Sequence, residues 1–351
     1  MAWLRKKDVI ERPVTALGSL VALGGLGGLF PGPKDVLAAA IAELVGTPDP
    51  AVSAYLAVAV MATGIIMVVC DQIAANRKKT PNRTLIAFRH HSLQPVSAPL
   101  LSETDLPKRL GSVLLEHRDC DQTAEMQARK QNYAAALGIQ DRAWTWLKSR
   151  LESNPRPELA YYGIAHVPFQ ILMGYQLSQT NPLLFELSRQ DRVWRELLEE
   201  SAPHLGIQVL ENHSKCPPHS AVIRISVSYP VELADIKEII PEPFDDIELR
   251  INDIGIDRIT HYGQVREIVA AFRSALDSSM RRIPRGGEVH LFYAGPMSLG
   301  FSLGKAISPS IHPKVAAYNH TRQSQPRYSW GVTVNSPDQL PDVVKTSRIS
   351  P

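Results

Sequence analysis

Four cations, Arg189, Lys305, Arg322 and Arg327, and five aromatic residues, Phe169, Tyr229, Tyr293, Tyr328 and Trp330, are the side-chain types that hold a small anionic, aromatic ligand. Arginine pairs with phosphate oxygens through parallel hydrogen bonds, and an aromatic face stacks on a base. Ser92, Ser228 and Ser298 bring hydroxyls close to expected helix starts, where unpaired backbone N–H groups favour an anion. Taken singly, each residue has an ordinary place: Trp330 and Tyr293 in a core, the arginines on a solvated surface. The reading rests on their convergence at strand ends.

Other chemistries lack their residues. No GxGxxG follows an expected strand, and GxxxxGK[ST], GxSxG and HExxH are absent. The carboxylates form no pair beside a nucleophile, so neither a catalytic centre nor a cofactor is expected. His90 and His91 are neighbours on a strand and point to opposite faces, which places His91 beside a ligand rather than in a metal site. Cys70, Cys120 and Cys216 have no metal-ligand spacing and cannot all pair, so they read as reduced thiols of a cytosolic region. A net charge of +3 is too small to recruit a nucleic-acid polymer.

The elements that carry these residues recur in one order. Residues 84–96 (TLIAFRHHSLQPV) and 221–231 (AVIRISVSYPV) are strands that run into a serine-containing turn and then Pro-Val. Short strands follow at 115–119 and 249–253, then long amphipathic helices at 123–151 and 263–283. Strands at 158–163 and 288–295 each lead through a proline, Pro168 or Pro296, into a short apolar helix with a late glycine, Gly174 or Gly304. Strands at 183–187 and 314–319 close both copies. This rhythm predicts an α/β fold of two pseudo-symmetric Rossmann-like halves, 84–205 and 206–336, with ligands at the carboxyl ends of the strands. The polar, proline-bearing residues 337–351 read as a disordered tail.

The first 83 residues differ. Residues 14–30 and 51–70 contain no charged side chain. The first run spans roughly 26 Å as a helix and the second is long enough to cross a hydrocarbon core of about 30 Å. Arg5, Lys6, Lys7 and Arg12 precede the pair and Arg77, Lys78, Lys79 and Arg83 follow it, so both ends are expected on the cytoplasmic side. Residues 34–45 fit an outer interfacial helix and a plain spacer equally. Gly24 and Gly28 form a GxxxG pair that packs helices closely, within the hairpin or between copies.

Residues 288–335, EVHLFYAGPMSLGFSLGKAISPSIHPKVAAYNHTRQSQPRYSWGVTVN, run from a strand through Gly-Pro-Met-Ser and a Leu-Gly-Lys helix to a strand ending Tyr-Asn-His at His320. This segment resembles the C-terminal half of SAVED domains, sensors of cyclic oligonucleotides in bacterial antiphage signalling (CBASS), and FRHHSLQPV is similar to their opening strand. The resemblance covers about 84–336 and implies two fused CARF-like units. It also implies ligand contacts from Gly295, Pro296, Met297 and Ser298, with His166, Pro168, Phe169 and Gln170 as first-half counterparts. The first half departs from the pattern, because Pro168 to Gly174 is shorter than Pro296 to Gly304 and no serine follows its proline.

With two membrane spans ahead of it, the chain resembles the transmembrane SAVED effector type. That implies binding of a cyclic di- or trinucleotide, self-association, and disruption of the bacterial inner membrane in abortive infection. A CRISPR-linked cyclic-oligoadenylate sensor, a membrane-bound α/β enzyme and a scaffold acting through its tail stay open as alternatives.

Overall fold

The computed structural model describes residues 83–93, 98–127, 130–153, 158–336 and 341–347, together with Ile66, Val69 and Cys70. The chain divides into two compact units, Met1–Asn82 and Arg83–Pro351. In the first unit, Ile66, Val69 and Cys70 are helical and exposed. The rest of the runs 14–30 and 51–70, with Gly24 and Gly28, lies outside the described residues. Among the described residues no helix is long and apolar enough to cross a membrane.

The second unit holds two sheets built on one plan. The first contains β1 (Thr84–His91), β2 (Leu114–Asp121), β3 (Glu158–Ile164), β4 (Leu183–Leu187) and β5 (Trp194–Glu196), in the order β2-β1-β3-β4-β5. All neighbours are parallel except β4 and β5. The second contains β6 (Gln208–Asn212), β7 (Ser220–Ser226), β8 (Phe244–Arg250), β9 (Glu288–Ala294), β10 (Lys314–Asn319), β11 (Trp330–Val334) and β12 (Val343–Lys345). Its order β12-β11-β10-β9-β7-β8-β6 repeats the first, with β8, β7, β9, β10 and β11 standing for β2, β1, β3, β4 and β5. Strands β6 and β12 extend the edges, both antiparallel to their neighbours.

Burial explains the strand composition. Every residue of β7 is buried, as are residues 85–88 of β1, because layers on both faces leave no side for polar residues. Helices α1 (Tyr133–Ser153), α2 (Val167–Gln176), α3 (Leu233–Lys237), α4 (Tyr262–Arg282) and α5 (Met297–Ala306) supply part of that cover. One continuous apolar cluster runs through both halves, from Phe88, Phe169 and Leu172 to Phe301, Leu303 and Trp330.

Helices α2 and α5 form the joint between halves. A Cβ on Gly174 would run into the carbonyl oxygen of Phe301, and one on Gly304 into that of Ile171. The contact is reciprocal, so it fixes which residues correspond: Ile171 with Phe301, Gly174 with Gly304, and the residue just before each helix, His166, with Pro296. Both helices have ten residues. The expectation of a shortened first half is therefore corrected. Pro168 is the counterpart of Ser298, two residues inside the helix, rather than of Pro296.

Three further expectations change. The first long helix starts at Tyr133 rather than 123, because Gln122 turns its side chain into the core, Gln131 has a positive φ of 38°, and the Ala135 N–H donates to Asn132 Oδ1 at 3.2 Å as a cap. The strand expected at 249–253 ends at Arg250. The tail contributes β12, which pairs antiparallel with β11, with the Thr346 N–H donating to the Ser329 carbonyl at 3.2 Å, so 343–346 is ordered by edge pairing.

Candidate functional site

A cleft of about 870 Å³ opens where the carboxyl ends of β3 and β4 meet those of β7, β9 and β10. Both halves line it, which follows from the joint. Helices α2 and α5 begin directly after β3 and β9, so their N-termini share one mouth. Ten of the residues singled out from the sequence line the cleft: His166, Gln170, Arg189, Ser228, Tyr229, Gly295, Pro296, Met297, His320 and Arg322.

Arg189 and Arg322 are pseudo-symmetry mates, as His166 and Pro296 are. Tyr161 pairs with Leu184, and the residue equivalent to Tyr161, Leu291, pairs with Ala317. Arg189 follows Leu184 by five positions, as Arg322 follows Ala317. Each half thus puts one exposed arginine on the same cleft at the same place in its sheet. Tyr229, 55% exposed, gives the cleft an open aromatic face.

His166 is held from behind. Its backbone N–H donates to Ser92 Oγ at 2.6 Å, and the same oxygen lies 2.7 Å from Nδ1. An oxygen that already accepts one hydrogen can give its own to Nδ1, leaving the N–H on Nε2. Burial pushes the His166 pKa down to about 4, so the ring is neutral at physiological pH. Its ring packs edge-on against Trp330, centroids 5.5 Å apart, a second-half residue reaching under a first-half loop.

The remaining expected residues fall elsewhere. Ser92 is buried behind His166, and His91 ends β1 without lining the cleft. Pro168 and Phe169 are buried inside α2, Phe169 against Trp330 with centroids 5.3 Å apart. Tyr328 packs edge-on against Phe292 at 4.7 Å in a separate second-half core. Ser298 is 1% exposed. Lys305 lies at the far end of α5, where its ammonium binds the Thr180 carbonyl and Asn181; eight residues of helix carry it about 12 Å from the helix start. Arg327 pairs with Asp235 at 3.3 Å. Tyr293, expected in a core, is 3% exposed and donates to the Pro296 carbonyl at 2.6 Å.

Sequence reasoning missed the cleft's acidic residues. Glu186, in β4, accepts from the Ser298 N–H at 2.6 Å, so a first-half carboxylate rests on the first turn of a second-half helix. Burial pushes its pKa up, against the pull of Ser298. Asp257 also lines the cleft, in a turn with φ of 59°. The one sequence signal for Glu186 was a charge inside the apolar strand LLFEL. Among the described residues no group of three or more His, Cys, Asp and Glu side chains could hold a metal ion.

The family model described as the SMODS-associated and fused to various effectors sensor domain, SAVED, matches residues 139–334, more than half of the chain. No curated protein matches the sequence. Among solved structures, an Acinetobacter baumannii Cap4 SAVED/CARF-domain containing receptor with the cyclic trinucleotide 3'3'3'-cAAA aligns at 13% identity and a TM-score of 0.44, over 83% of this chain and 64% of that one. A Moraxella osloensis Cap4 SAVED/CARF-domain containing receptor aligns at 13% identity and 0.39, over 84% and 64%. The chain thus spans less than two thirds of the length of these structures.

Proposed function

The chain belongs to the SAVED family of sensor domains, and from that premise we propose that it binds a cyclic di- or trinucleotide in the cleft between its halves. The observation that carries this reading is the equivalence of Arg189 and Arg322 across one cavity. A ring of nucleotides repeats its phosphates, and two guanidiniums related by pseudo-symmetry suit two such phosphates. Tyr229 supplies a face for a base, and the neutral His166 a directional donor. A volume of about 870 Å³ lies within the range of small-molecule sites. The chain acts by binding, without turnover and without a metal or cofactor.

The output is self-association of copies at a bacterial inner membrane, with both termini on the cytoplasmic side. The uncharged runs 14–30 and 51–70, flanked by basic residues, support this anchor. Gathering sensors raises the local concentration of hairpins, so weak helix contacts through Gly24 and Gly28 become significant. Disruption of the bilayer would then kill the infected cell and end phage production. The ligand drives this only through its preference for the assembled state.

The test is size-exclusion mobility of the detergent-solubilised full chain, with and without a panel of cyclic di- and trinucleotides, followed by dye release from liposomes that carry it. The expected result is a ligand-dependent rise in mass together with leakage. Unchanged mass with every ligand would remove the proposal.

A further inference from the structure

The pairing of Glu186 with Ser298 has no equivalent at the symmetry-related place in the cleft. Glu186 lies two residues past Leu184, and its counterpart Asn319 two past Ala317. The backbone N–H that holds Glu186 belongs to Ser298, whose counterpart, Pro168, has no N–H to give. At the symmetry-related place, made by Asn319 of the second half and Pro168 of the first, neither member survives. Asn319 is 6% exposed, and its Nδ2 donates to the His320 carbonyl and Thr321 Oγ1, each at 3.3 Å. A carboxylate and its donor therefore occur together on one side, and an amide and a proline on the other.

We propose that Glu186 is a specificity-determining residue that reads the amino group of one base of the bound ring and turns that base inward. The inference rests on cyclic-nucleotide binding in this cleft. Three features carry it. Glu186 stands on a strand and is fixed by a 2.6 Å hydrogen bond, so its position is set before ligand arrives. The α5 N-terminus, which would otherwise suit a phosphate, is occupied by the protein's own carboxylate, and a second anion there would be repelled. The exposed arginines follow Glu186 and Asn319 by three residues each. Phosphates are thus drawn to Arg189 and Arg322, and the remaining acceptor capacity of a partly desolvated carboxylate meets a base donor. Adenine and cytosine present an exocyclic amine. Their deaminated forms present a carbonyl oxygen in its place, which faces the carboxylate acceptor to acceptor.

The experiment measures binding to the full chain of rings built from adenosine or cytidine, and of the same rings built from inosine or uridine. Wild type is expected to bind the amino-base ring roughly tenfold to a hundredfold more tightly than its deaminated counterpart, as a hydrogen bond to a charged group allows. Glu186→Gln, whose amide offers both donor and acceptor, should bring the ratio close to one. Glu186→Ala serves the same comparison if thermal unfolding shows the first variant misfolded. An unchanged ratio in the variant would overturn the assignment. So would equal tightening for every ring, which would mean that the carboxylate only repels phosphate, or a wild-type preference for the deaminated ring. Failure of wild type to bind any ring would instead overturn the cleft reading on which the assignment depends.

Discussion

Gly174 and Gly304 stand on different helices, and each is pressed against the main chain of the other helix, Gly174 on the Phe301 carbonyl and Gly304 on that of Ile171. This reciprocal contact makes two sheets into one cleft. An exposed helical glycine changed to alanine normally gains about 1 kcal/mol from propensity. Here the sign reverses, because the added methyl meets backbone that cannot rotate away. Gly174→Ala and Gly304→Ala should each cost about 3 kcal/mol or more in urea unfolding, the upper end of overpacking penalties. A stabilised variant would show that the helices are not in contact.

A buried ion cluster should behave differently from the surface pairs. Arg224 is 8% exposed, and its guanidinium binds Asp246 at 2.7 and 2.9 Å and Glu248 at 2.9 Å. Burial works against its charge, yet these carboxylates raise its pKa. Asp246→Ala removes one of the two carboxylates that compensate this buried charge, leaving Glu248, and should cost about 3 kcal/mol. Glu199→Ala, which removes an exposed partner of Arg266, should change stability by less than about 1 kcal/mol. Equal losses in the two variants would contradict this assignment.

Acid should destabilise the fold before most carboxylates titrate. Burial pushes the pKa of His90 down to about 3 and those of His166 and His290 to about 4. Between about pH 6.5 and 4 the unfolded chain binds protons at these sites that the folded chain refuses, so stability falls as pH falls. These three sites contribute at most roughly 4 kcal/mol per pH unit, and His91, His312 and His320, whose pKa values burial also lowers, act in the same direction. Glu186 and Glu288, whose carboxyl pKa values burial raises, oppose it. Urea midpoints from pH 7 to 5 read the slope; stability that rises on acidification would contradict the buried neutral histidines.

Much of this was legible in the sequence. The strands 183–187 and 314–319 coincide with β4 and β10, because strands covered on both faces read as short, mainly apolar runs. Strands β5, β6, β11 and β12 escaped notice; an edge strand such as QVLEN, exposed throughout, has no apolar side to betray it. Arg189 and Arg322 were found by residue type, but their equivalence depends on sheet register. Lys305, Phe169 and Tyr328 have the right chemistry and the wrong place: helix direction and core packing are set by contacts between distant segments. Glu186 showed only as a charge inside an apolar strand, and its role did not, because its hydrogen-bond partner lies in the other half.

The arginines should act on ligand and leave the fold intact. Both are exposed, so Arg189→Glu and Arg322→Glu should shift stability by under about 0.5 kcal/mol. Each should weaken cyclic-nucleotide binding at least tenfold and flatten its salt dependence. Lys305→Ala, at the far end of α5, should leave affinity unchanged. Ser298→Arg is no clean probe of the site, because a residue 1% exposed cannot accept that volume.

Calorimetric titration of the full chain with cyclic di- and trinucleotides bears most directly on the cleft. One ring should bind per chain, and Arg322→Glu should lose at least tenfold in affinity while unfolding at the wild-type temperature. No heat with any ring, or equal affinity in wild type and Arg322→Glu, would contradict the assignment of the cleft.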